Sequence, residues 1–139
     1  MKILVAGGAG FIGSSFVRLS VAAGHSICVL DALTYAGNLQ NLEPVANSAG
    51  YRFVKGNICD ISATADLIAA EHPEVIVNFA AESHVDRSIM DASPFVHANS
   101  GGVQSLLDAI RRSGTQARFV QISTDEVYGS ADDGKPFKE

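Results

Sequence analysis

The sequence has no tryptophan, only two cysteines and four prolines, and no unbroken apolar run of bilayer length. Cys28 in an apolar run and Cys59 in a turn-like stretch build no disulfide framework; they suit a reducing cytoplasm, with Cys28 read as core. Without an apolar run of about 18 residues or more, a membrane-spanning helix is excluded and the chain reads as soluble. A signal peptide is the rival reading of the start, where Met1-Lys2 precede apolar residues and Val21-Ala22-Ala23. Four glycines interrupt that apolar region, and Arg18 falls before the small-residue site, which argues against it. Positive charge is scarce as well: ten Lys and Arg against fifteen Asp and Glu leave −5. That balance argues against a nucleic-acid or anionic-membrane partner. His25, His72 and His97 show no metal-ligand spacing, and no metal is expected.

What is present is apolar and glycine-rich. Hydrophobic residues make up 47% and charged residues 18%, which fits one domain with a largely buried parallel sheet. The chain opens on MKILVAGGAGFIGS: a short apolar strand, then Gly7, Gly8, Gly10 and Gly13, then from Phe11 an amphipathic helix. Strand, glycine turn and helix together form the context of a dinucleotide site. Glycines permit the tight turn and the close approach of a pyrophosphate to backbone N–H groups, and the helix N-terminus adds partial positive charge. The residues fit two spacings, Gly8-x-Gly10-x-x-Gly13 and Gly7-x-x-Gly10-x-x-Gly13.

The pattern predicts strands over 2–6, 26–30, 51–54, 74–80 and 117–122. Between them it predicts helices over 11–23, 63–70 and 94–112, with a short one over 39–46 interrupted near Pro44. Gly24 and Gly114 read as stops, Asp60 or Ser62 as one cap, and Asp91 or Ser93 as another. Right-handed crossovers then give an α/β fold, a doubly wound parallel sheet in the order 3-2-1-4-5. The carboxyl ends of the five strands carry the glycines, Asp31, Asn57-Ile58, Ala80 to His84, and Ser123 to Glu126, all on one edge. Asp31 stands where an acid grips the adenine ribose hydroxyls, with capping of the next turn as its structural alternative. No Arg or Lys beside Ala32 and Leu33 greets a 2′-phosphate, so NAD is favoured over NADP. Asp86 and Arg87 are read as a mutual ion pair.

GGAGFIGS, DALTYAGN, GNICD, AAESHVDRSI and STDEVYG together resemble the extended short-chain dehydrogenase/reductase group. The last two are similar to its dTDP-glucose 4,6-dehydratase family. The resemblance implies that residues 1–139 are an N-terminal NAD-binding domain, ending before a Tyr-x-x-x-Lys helix and a substrate domain. It implies NAD contacts at Gly7, Gly10, Phe11, Ile12, Gly13, Asp31, Ala32, Leu33, Thr34, Asn57, Ile58, Ala80, Ala81, Glu82 and Ser83. Ser83, His84 and Thr124 would face a dTDP-glucose substrate, and the full enzyme would be a cytoplasmic homodimer. In the implied reaction C4 of the glucosyl unit is oxidised with tightly bound NAD+, water leaves across C5 and C6, and hydride returns to C6. Asp125 would protonate the departing hydroxyl and Glu126 would take the C5 proton, with Thr124 at the reacting hydroxyl. The residue types suit those tasks, because a C4 ketone acidifies C5 enough for a carboxylate base, whereas hydroxide leaves poorly without an acid. Neighbouring carboxyl groups can hold opposite protonation states where their environments differ.

The chain departs from the family pattern at Ala6, Asn57, Ala98 and Val103, which stand in place of Thr, Asp, Thr and Thr. Asn57 keeps an acceptor and adds a donor toward an adenine. Tyr51 and Lys55 have the catalytic spacing but lie on a predicted strand, where four residues span roughly 13 Å instead of one helical turn. Tyr128 has Asp132 at that offset. The fragment alone is expected to be inactive. Two alternatives remain open: a non-catalytic NAD-binding module, and another NDP-hexose dehydratase or an epimerase.

Overall fold

In strand β1 (Lys2–Ala6), Ile3 and Val5 turn to one face and Leu4 and Ala6 to the other, and all four are buried. Strand β2 (Ser26–Asp31) repeats this, with Ile27 and Val29 on the first face and Cys28 and Leu30 on the second. Strands apolar on both sides need cover on both, which helices flanking a parallel sheet supply. The structure, a computed structural model, describes residues 1–129. Its sheet is completed by β3 (Tyr51–Lys55), β4 (Val75–Asn78) and β5 (Arg118–Gln121), all parallel, in the order β3-β2-β1-β4-β5. This is the order the sequence predicts.

One face is covered by α1 (Phe11–Ala22), through Val17, and by a 3₁₀ turn at Leu39–Val45, through Leu42 and Val45. The other is covered by α2 (Ile61–Glu71) and, later in the chain, a helix whose Leu106 and Ala109 meet Ala65 and Ile68. That later helix is the predicted one over 94–112, but it is not uniform. It starts as α4 (Ser93–Val96) beyond a short α3 (Val85–Met90), loosens into a π turn at His97–Gly102, and continues as α5 (Val103–Ser113). Backbone angles stay right-handed helical across both junctions. At the π turn Gly102 lies against Ile58, whose Cδ1 would stand 2.8 Å from an added Cβ.

The predicted boundaries shift by a few residues. Asp60 caps α2 by accepting from the Ala63 N–H at 3.0 Å, so the helix starts at Ile61, and His72 ends it in the left-handed region. Asp91 accepts from the Ser93 N–H at 2.9 Å. Gly24 and Gly114 adopt φ +82° and +69° and stop their helices as expected. β4 stops at Asn78, two residues short, because the Asn78 side chain turns back to accept from the Ala80 N–H. Helix α3 and a second 3₁₀ turn, at Asp125–Tyr128, are not foreseen; both are short and neither buries a residue, the apolar Val85, Ile89 and Met90 of α3 being exposed.

The amino edge of the sheet closes on itself. Glu71, buried at the end of α2, pairs with Arg52 of β3 and with Lys2 Nζ at 3.3 Å. The Lys2 N–H donates to Glu74 at 2.8 Å. Beneath them Cys28 is a free, buried thiol pushed up to about 11, first by burial and then by the Glu71 charge.

Candidate functional site

The strand registers set the site. Ala6 is level with Leu30 on one side and Asn78 on the other, and Asn78 is level with Gln121, so four carboxyl ends empty side by side. At the centre is the glycine turn, and its glycines do different work. Gly7 has φ +72°, and a Cβ there would stand 2.4 Å from the Ala80 nitrogen. At Gly13 a Cβ would stand 2.3 Å from the Gly7 carbonyl oxygen, so helix and turn meet only through glycine. Gly8 packs on Val29 and Val17 side chains. Around Gly10 nothing in the protein comes nearer to an added Cβ than 3.4 Å. Turn, approach and packing thus fall to Gly7, Gly10 and Gly13, which favours that spacing over the one starting at Gly8. Among the described residues, the N–H groups of Phe11, Ile12 and Gly13 in the first turn of α1 meet no acceptor. The Phe11 and Ile12 side chains are exposed. These open donors at a helix N-terminus fit an anion.

Asp31 is buried and both its oxygens are engaged. One accepts from the Ala9 N–H and the other from the Leu33 N–H, each at 2.8 Å. The Ala9 carbonyl in turn accepts from the Asn38 N–H at 3.1 Å and the Asn41 amide at 2.9 Å. Asp31 therefore caps its own turn, as its structural reading supposes. A carboxylate oxygen has two acceptor sites, so a hydroxyl can still be accommodated beside each N–H. Leu33 sits at φ +52°, and Ala32 and Thr34 complete the loop, with Thr34 accepting from the Gly37 N–H.

Asn57 accepts from the Cys59 N–H at 3.0 Å and forms the turn after β3. Ile58 is buried in the core, which leaves its backbone, not its side chain, to a ligand. After β4, Ala80 is held against Gly7, while Ala81, Ser83 and His84 are exposed. The Glu82 peptide is clamped on both sides: its N–H donates to Asn99 Oδ1 and its carbonyl accepts from Asn99 Nδ2, each at 2.8 Å. Arg87 does not form the expected pair with Asp86. Its guanidinium lies instead over the Tyr35 ring, 4.1 Å from the centroid, a contact comparable in strength to an exposed ion pair, so adjacency to Asp86 does not decide its partner.

Thr124, Asp125 and Glu126 lie exposed at the exit of β5, the last two in the 3₁₀ turn. The Thr124 hydroxyl, foremost, then the Glu126 backbone N–H and a hydrogen bond with Asp125 hold the Glu126 carboxyl below its usual 4.5. The lowered value keeps Glu126 in the proton-accepting form, at the cost of weaker basicity.

Asn78, Asn99 and Gln121 are the residues that sequence reasoning missed. Asn78, fully buried, bridges to Gln121 at 2.9 Å and to the Ala80 N–H at 3.0 Å, tying the exits of β4 and β5 together. A polar residue inside VIVNFA was a usable signal, since buried amides are uncommon without partners. Asn99 left no such mark, because only the π turn aims it at Glu82. Asp132 and the rest of 130–139 lie outside the described residues. Among the described residues no three metal-ligating side chains cluster, and no helix is long and apolar enough to cross a membrane.

Comparison with known proteins agrees with this geometry. Residues 4–139 match the family described as GDP-mannose 4,6 dehydratase. A dTDP-glucose 4,6-dehydratase from Streptomyces niveus is 52% identical over 140 residues, covering 96% of this chain and 41% of the relative. A low-salt glycan biosynthesis protein from Haloferax volcanii is 55% identical over 136 residues, covering 97% and 43%. Among solved structures, a dTDP-glucose 4,6-dehydratase from Streptomyces venezuelae with NAD bound superposes with a TM-score of 0.89 at 49% identity, over 96% of this chain and 42% of that one. The chain thus spans about two-fifths of the length of the relatives it matches.

Proposed function

The chain belongs to the GDP-mannose 4,6 dehydratase family, and on that premise we propose that it is the NAD-binding domain of a nucleotide-sugar 4,6-dehydratase acting on dTDP-glucose. The observation that carries this reading is one edge of one sheet. It holds an open-donor glycine turn and, two strands away, the adjacent exposed carboxyl groups of Asp125 and Glu126. The residues fit the cofactor. Phe11, Ile12 and Gly13 N–H groups would hold the pyrophosphate, and Gly10 leaves room for it. Asp31 would hold the adenine ribose, with Ala32, Leu33, Thr34, Asn57 and Ile58 around the adenine end. Ala80, Ala81, Glu82 and Ser83 would line the other half, where Asn99 fixes the Glu82 peptide.

When bound, the nicotinamide cofactor would supply reversible hydride storage, accepting hydride from C4 in its oxidised form and giving it to C6 in its reduced form. The protein's part is acid–base work. Glu126 would take the C5 proton as a carboxylate and give it back to C5 when hydride adds at C6, and Asp125 would deliver a proton to the C6 hydroxyl so that it leaves as water. Thr124 stabilises the ionised Glu126 and meets the substrate hydroxyl, while Ser83 and His84 bind the sugar. The domain holds residues 1–139, and the complete enzyme works as a cytoplasmic homodimer. Full turnover also needs a group to shuttle the C4 hydroxyl proton. Tyr51 and Lys55 cannot supply it, since they lie on β3.

Titration of the chain with NAD+ and NADP+ by calorimetry tests the cofactor reading. Saturable binding of NAD+ with weaker binding of NADP+ supports it, and no binding of either rejects it. Intact mass of the protein from its source tests the enzyme reading. A mass well over twice 14.6 kDa, together with conversion of dTDP-glucose to a 4-keto-6-deoxy sugar, supports a dehydratase; a mass near 14.6 kDa with no turnover favours a binding module.

A further inference from the structure

Strand order places β1 between β2 and β4, so a side-chain bridge between the loops after β2 and β4 spans the carboxyl end of β1, where the glycine turn begins. Such a bridge exists. From the β2 side comes Tyr35, half exposed; from the β4 side Arg87 lies on its ring face at 4.1 Å, and the His84 ring meets it edge-on at 6.5 Å. Both anchorages are firm. The Tyr35 loop is tied down by the Asn38 N–H to the Ala9 carbonyl, and the other loop by the Asn99 clamp on Glu82. Partial burial, then a hydrogen bond to the Glu82 carboxylate, raise the Tyr35 phenol above its usual 10, so it stays a neutral donor at physiological pH.

We propose that Tyr35 and Arg87 form a strap across the glycine turn that retains the dinucleotide, and that they act as positioning residues for it. The inference rests on the NAD reading above and deepens it. A reaction that returns the hydride it takes has no need to exchange its cofactor between turnovers. Slow exchange therefore costs such an enzyme no rate, whereas it would throttle a dehydrogenase that releases reduced cofactor each cycle.

The test uses the whole 139-residue chain with NADH as fluorescent probe, mixed and then chased with excess NAD+ in a stopped-flow instrument. Tyr35→Leu and Arg87→Gln are each expected to speed both association and dissociation roughly tenfold, leaving affinity nearly unchanged. Tyr35→Phe keeps the ring on Arg87 and should restore most of the slowness. Unchanged rates overturn the strap, and so does faster dissociation alone, which would mark Tyr35 as a direct ligand contact. A second measurement needs no cofactor: the Gly37 and Glu82 amides of the free chain should exchange hydrogen faster in Tyr35→Leu. Unchanged exchange overturns the bridge. If the unsubstituted chain binds no NADH, the NAD reading falls and the retaining role with it; faster exchange in the variant would then place the failure in that reading and not in the contact between the loops.

Discussion

The two edges of the sheet use polar groups in opposite ways. At the amino edge the buried charge is answered within the protein: Glu71 by Arg52 and Lys2, and the Lys2 N–H by Glu74. At the carboxyl edge the N–H groups of Phe11, Ile12 and Gly13 meet no acceptor among the described residues, the Asp125 and Glu126 carboxyl groups are exposed, and Phe11 is 87% exposed. Since burying polar groups unpaired is costly and exposing large apolar ones is unfavourable, an edge that leaves both open is shaped for something outside itself. Charge alone would have pointed to the amino edge, where the tightest ionic cluster among the described residues lies.

Substitutions can break that comparison or sharpen it. The largest effect is expected from Gly13→Ala, whose Cβ would stand 2.3 Å from the Gly7 carbonyl oxygen. It should cost about 3 kcal/mol in urea unfolding and abolish NADH binding, because α1 must move off the turn. Gly10→Ala should separate the two properties. With φ −73° and no protein atom nearer than 3.4 Å to the new Cβ, stability should hold or rise by about 0.5 kcal/mol. NADH affinity should nonetheless fall at least roughly tenfold, as the backbone loses close approach to the pyrophosphate. Normal NADH binding by this variant would break the comparison outright. Glu71→Gln should do the reverse, costing about 1 kcal/mol, since its cationic partners are largely solvated, while leaving NADH affinity unchanged. The smallest effect is on titration. By NMR, Glu126 should titrate below 4.5, and Thr124→Val should move its midpoint up toward that value. Lowering pH through the folded midpoint removes whatever stability the ionised form contributes, and in a complete enzyme it would remove the base.

The sheet order was legible because β1, β2 and β4 are apolar on both faces, a pattern only a covered parallel strand requires. The glycine turn was legible in kind but not in spacing, since Gly7 and Gly8 differ only in what a Cβ would strike, a fact of packing. Helix α3 was invisible because it buries nothing. The Asp86–Arg87 reading failed because adjacency in sequence says little about which partner a long side chain reaches; Tyr35 lies 52 positions from Arg87 and was never a candidate. Asn99 was hidden for a related reason. Its task depends on the local widening of the helix at His97–Gly102, and His-Ala-Asn-Ser-Gly-Gly announces no such widening.

The three hydrogen bonds on the Ala9 backbone bear on how cofactor preference can change over time. Asp31 holds the Ala9 N–H, and Asn38 and Asn41 hold its carbonyl, so the acid that would discriminate against a 2′-phosphate is also a brace of the turn itself. A lineage replacing Asp31 to admit the phosphorylated cofactor would first lose its glycine turn. The route to a new preference would have to begin elsewhere, with a substitute acceptor for the Ala9 and Leu33 amides already in place. If Asp31 reads the cofactor as proposed, a preference for its unphosphorylated form would be built into the turn, apart from any selection acting on it.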